Sequence, residues 1–112
     1  MPLDGAADAL AREPASQANA SAAPSSGTQE LATARHYLEG PNRNPSEAAR
    51  WLWRAVSKQN SEASLLLANL YLRGDGVSRS CEQGRLLLVT AAKKGVSGAA
   101  AQLRNLESTG CH

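Results

Sequence analysis

At 112 residues, with two Trp, two Tyr and no Phe, the chain is too short and too poor in large apolar side chains to build a thick globular core. Twelve basic against ten acidic residues leave a net charge of +2, which lacks the dense positive field of a nucleic-acid reader. No run is apolar and long enough to span a bilayer, and the start lacks the basic-then-apolar pattern of a secretory signal.

Residues 1–27 are rich in Ala, Ser and Pro and carry almost no large apolar side chain after Leu10. Such a stretch buries too little surface to offset its ordering entropy, so it is predicted to be a disordered tail or linker. Within it, Pro2 to Arg12 is predicted to form at most a frayed helical turn. A tract of this kind is common in linkers, which makes the chain a candidate C-terminal part of a longer protein.

Five helices are expected to follow, at about 28–39, 45–59, 61–73, 81–94 and 98–109. Thr28 or Ser26 opens the first, with Leu31, Ala34, Tyr37 and Leu38 on one face, and Gly40-Pro41 closes it. Asn44 caps the second, Pro45 takes its first turn, and Glu47 completes an N-x-x-E box. Ala48, Trp51, Leu52, Ala55 and Val56 form its apolar stripe, while Arg50, Arg54 and Lys58 recur on another face. Asn60 or Ser61 opens the third helix, whose apolar face holds Ala63, Leu67, Ala68, Leu70 and Tyr71. Gly74-Asp75-Gly76 stops it, because glycine enters the left-handed conformation cheaply. Ser80 with Gln83 caps the fourth, lined by Gly84, Leu87, Leu88, Ala91 and Ala92 and ended by Gly95. Ser97 is expected to cap the fifth, which carries Ala100, Leu103 and Leu106 and stops at Gly110.

The helix pair repeats. Tyr37-Leu38-Glu39-Gly40 lies 34 residues before Tyr71-Leu72-Arg73-Gly74, and Ala55 to Ala63 lies 36 before Ala91 to Ala99. Moved forward by 36, Leu67 falls on Leu103 and Leu70 on Leu106. A period in the mid-thirties built from helix pairs is the mark of an α-solenoid. The second copy resembles the Sel-1-like repeat family, a relative of tetratricopeptide repeats, through Ala63, Leu67, Ala68, Leu70, Tyr71, Gly74, Gly76, Val77, Ala91, Ala92 and Gly95. The first copy adds Ala48, Trp51, Leu52, Arg54 and Ala55, but has His36 for leucine and G-P-N-R-N-P for the glycine turn. The resemblance covers about residues 29–112. It implies an all-α fold: a short right-handed superhelix of about two and a half helix pairs in a repeat domain at 28–112.

In such a stack Cys81, at the start of the fourth helix, and Cys111, after the fifth, fall at the same end. A disulfide there would close a loop of about thirty residues, contribute about 2–4 kcal/mol and imply an oxidising compartment such as a periplasm or envelope. The alternative is two unpaired thiols in a reducing cytosol. His36 and His112 have no metal-ligand spacing, no serine sits in a nucleophile elbow, and Asp75 between two glycines reads as turn chemistry. No metal, cofactor or catalytic pair is therefore expected. Arg50, Arg54 and Lys58 read as a solvated outer face. Trp53, two residues from Trp51, points away from the stripe, as an interface anchor or as a residue covered by the N-terminal segment.

In related solenoids the first helix of each pair lines the concave groove. The resemblance thus points to the columns Ala32, Arg35, Glu39; Leu66, Asn69, Arg73; and Gln102, Asn105, Thr109. The implied function is a non-enzymatic protein–protein interaction or adaptor module, binding a partner peptide or helix through Arg35, Glu39, Asn69, Arg73 and Asn105, with Trp53 as a further contact. The alternative is a structural C-terminal appendage of a larger membrane-anchored envelope or signalling protein. The chain is expected to be monomeric in isolation, with a protein partner and neither nucleic acid nor direct membrane insertion.

Overall fold

In the computed structural model, residues 27–111 are described. His112 and the expected tail at 1–27 lie outside them, except Gly27, which is buried and caps α1, its carbonyl accepting from the Leu31 N–H. Five helices follow in order: α1 (Thr28–Leu38), α2 (Pro45–Ser57), α3 (Ser61–Arg73), α4 (Cys81–Lys93) and α5 (Ala99–Thr109). They make up 72% of the described residues, with no strand among these, so the fold is all-α. Packing runs between helices consecutive in the chain, from α1 on α2 through to α4 on α5.

The caps follow from local chemistry. Asn44 Oδ1 accepts from the Glu47 backbone N–H, Asn60 Oδ1 from that of Ala63, and Ser80 Oγ from that of Gln83, each satisfying an orphan donor of the first turn. The end helices lack this device. Gly27 precedes α1 and Gly98 precedes α5, each left-handed and without a side-chain bond. The cap expected at Ser97 is thus displaced to Gly98: a turn from the Ala99 N–H to the Val96 carbonyl carries the chain past Ser97 before the helix begins. With that start, the fully buried residue of α5 is Ala99, and Ala100 is exposed.

The backbone bonds of the first pair recur in the second. The Asn44 N–H donates to the Tyr37 carbonyl and the Ser80 N–H to that of Tyr71. Arg43 Nε donates to the Leu38 carbonyl, and Arg79 Nε to that of Leu72. Asn60 N–H to Ala55 carbonyl is matched by Val96 N–H to Ala91 carbonyl. Gln59, at φ 69°, stands where the second copy has Gly95, at φ 77°.

Two apolar faces alternate around α3. Ala63, Leu67 and Leu70 are buried on one; Leu65, Ala68 and Leu72 pack on the other. The second face meets α4 at Gly84, where a Cβ would lie 2.6 Å from Leu72 Cδ2, so the helices approach as closely as a hydrogen side chain allows. The end helices keep one face each. In α1 the positions of Ala63, Leu67 and Leu70 are Gln29, Thr33 and His36; in α5 those of Leu65, Ala68 and Leu72 are Ala101, Arg104 and Ser108. Gln29, His36, Ala101, Arg104 and Ser108 are exposed.

Candidate functional site

Five of the six expected contact residues sit on α1, α3 and α5 or at their ends, and Trp53 sits on α2. Arg35, in the last turns of α1, pairs with Glu62 in the first turn of α3, and both side chains are about half exposed. Glu39 is the exposed C-cap of α1 and shares a shallow hollow with His36, Gly40, Pro41 and Asn42. Asn69 is half-buried on α3, and Arg73 is exposed in its last turn. Asn105 is exposed on α5, with its backbone carbonyl accepting from the Ser108 and Thr109 hydroxyls. Among the described residues, no hydrogen bond or ion pair links these five side chains to one another.

Trp53 makes a contact that neither expectation named. It is 39% exposed, and its indole Nε1–H donates to the Tyr71 hydroxyl at 3.2 Å, with the rings edge-on at 6.1 Å. Tyr71 is half-buried on α3. The sequence shows both aromatics but not their meeting, because the contact crosses from α2 to α3. Any cover from the N-terminal segment lies outside the described residues.

The basic row on α2 is engaged by its own surroundings. Arg50 lies 3.9 Å from Glu47, the Arg54 guanidinium stacks 4.4 Å from the centre of the Trp51 ring, and Lys58 pairs with Glu30. The Lys58 hydrogen bond holds the Glu30 carboxyl below its ordinary value; burial opposes this, while a backbone hydrogen bond and the charges of Lys58 and Arg54 support it. Asp75 also has a partner the spacing did not reveal. Its carboxylate accepts from Arg43 Nη2 at 2.8 Å, and Ser46 Oγ donates to the Gly76 carbonyl at 3.1 Å. The loop after α3 thus lies on the first turn of α2, where a Cβ on Gly76 would come within 2.4 Å of the Pro45 carbonyl carbon.

Cys81 and Cys111 form a disulfide with their Cα atoms 5.4 Å apart, within the ordinary span of such a bond. It joins the first turn of α4 to the residue after the α5 C-cap. Among the described residues no three His, Cys, Asp or Glu side chains gather as a metal site would require, and no helix is long and apolar enough to cross a membrane. His36 is exposed and edge-on to Tyr37 at 5.7 Å; it does not take the buried position that Leu70 holds in the second copy.

Comparison with protein-family models, curated proteins and solved structures finds no match. Fold and bonding define an all-α protein of five helices among its described residues, stapled by one interhelical disulfide.

Proposed function

We propose that the chain is a non-enzymatic partner-binding module, a short right-handed stack of about two and a half helix pairs of the Sel-1-like, tetratricopeptide-related kind. It holds a peptide or helix of a partner protein against α1, α3 and α5, the leading helices of the pairs. The carrying observation is the recurrence, 34 to 36 residues apart, of the same bonds between loop and helix: Asn44 to Tyr37 with Ser80 to Tyr71, and Arg43 to Leu38 with Arg79 to Leu72. Repeated units that rest only on their neighbours give stacks with an extended surface for partners. The polar outward faces of α1 and α5 fit the capping role that the end helices of such a stack require.

The leading helices are favoured as the docking face because their polar groups are available. Glu39, Arg73 and Asn105 are exposed, and the Arg35–Glu62 pair is open to water, so it can exchange partners at little loss. On the outer row of α2, Lys58 pairs with Glu30 and the Arg54 guanidinium lies over the Trp51 ring. The disulfide supports an oxidising compartment, and hence an envelope or exported setting.

The test compares the full chain with an Arg35→Ala, Asn69→Ala, Arg73→Ala variant in capture from envelope extract. Circular dichroism first checks that the helices persist. Specific capture by the parent, lost in the variant, is expected. Equal capture by a folded variant would remove the proposed face.

A further inference from the structure

We propose that the Cys81–Cys111 disulfide is a redox latch on α5: a dithiol that reduces it releases this helix from α4 while α1 to α4 stay folded. The inference rests on how unequally the helices are held. α3 buries Ala63, Ser64, Leu67, Ala68 and Leu70, α4 buries Gly84, Leu87, Leu88 and Ala91, and both have side-chain caps. α5 buries Ala99 alone; Leu103 and Leu106 are half-covered. It has no side-chain cap, no acid in its first turn and no base in its last, so nothing complements its macrodipole. Arg104 and Glu107 make no ion pair among the described residues. Eleven residues are too few for a stable free helix in water, so α5 needs its dock, and its firmest tie to that dock is covalent.

The bond is reachable. Cys111 is exposed and Cys81 half-buried in the first turn of α4, where the helix N-terminus favours a departing thiolate. A thiolate of the dithiol attacks one sulfur, forms a mixed disulfide with it and expels the other cysteine as a thiolate, which takes up a proton. The second thiol of the reagent then displaces the remaining cysteine. The protein gains two electrons and two protons and carries two thiols; the reagent leaves as its disulfide. The part of the apolar core that Leu103 and Leu106 pack against is then open to water.

Hydrogen exchange on the full chain, oxidised and then reduced with dithiothreitol, tests this by mass spectrometry. Reduction is expected to lower protection of the 99–109 amides by roughly tenfold or more, with α2 to α4 changed by less than about twofold. A Cys81→Ser, Cys111→Ser chain without reductant should show the same pattern, and trypsin should cut both after Arg104 far faster than the oxidised protein. Protection of α5 that survives reduction would overturn the latch. So would loss of protection in all helices together, which would make the disulfide a staple of the whole fold.

Discussion

Glu30 makes the junction between the start of α1 and the end of α2 sensitive to acid. Its carboxyl is held low chiefly by the Lys58 hydrogen bond, so the folded state binds its proton less readily than the unfolded chain. The resulting stability is present above the ordinary glutamate range and fades as pH falls through the lowered folded value. In a Lys58→Met chain the Glu30 carboxyl should titrate closer to the ordinary value, which carbon-detected NMR would read, and acid unfolding should lose that part of its pH dependence. A carboxyl unmoved by the substitution would contradict the assignment. Gln59 is the other informative residue. It holds a left-handed backbone at φ 69°, as Gly95 does one copy later, but with a Cβ that disfavours it. Gln59→Gly should stabilise the protein by about 0.5–1 kcal/mol after the added unfolded-state entropy is counted, and urea unfolding would measure it.

At the scale of helices, burial predicts a gradient from α4 to α5. Leu88 on α4 is fully buried, and Leu88→Ala should cost about 2–5 kcal/mol. Leu103 on α5 is half-exposed, and Leu103→Ala should cost about 1 kcal/mol in the oxidised protein, since partial exposure shrinks both the transfer and the cavity terms. Equal costs would show α5 to be docked as firmly as α4. The stripes of α2, α3 and α4 were legible in the sequence because apolar residues at helical spacing, Leu52 with Ala55 or Leu67 with Leu70, have one economical use in a short chain. The caps at Asn44 and Ser80 were legible because each lies three residues before the N–H it satisfies. The start of α5 was not, since Ser97 and Gly98 both suit a helix entrance and only the turn to Val96 decides between them. Nor were the links from Arg43 to Asp75 and from Trp53 to Tyr71, which join residues 32 and 18 apart and depend on how the helices pack. The disulfide was legible as a pairing only once a stacked arrangement was assumed.

Across the whole molecule, the two ends differ in how they are finished. The outward face of α1 is polar, with Gln29 and His36 exposed, and α1 is tied to its neighbours by ion pairs through Glu30 and Arg35. The last helix is finished by a covalent bond. Between them, consecutive loops rest on one another through Arg43, Asp75, Ser46 and Gly76, which fixes the relative pose of the two helix pairs. The proposed stack would offer a partner a preformed surface, so binding would lose little to ordering the protein itself. On the proposed reading that surface runs over α1, α3 and α5. The most direct measurement is a nitrogen–proton NMR titration of the oxidised full chain with a captured partner. The proposal predicts shifts concentrated at the Arg35, Glu39, Asn69, Arg73 and Asn105 amides, with those of Arg50, Arg54 and Arg85 on α2 and α4 unmoved. Shifts confined to α2 and α4 would contradict it.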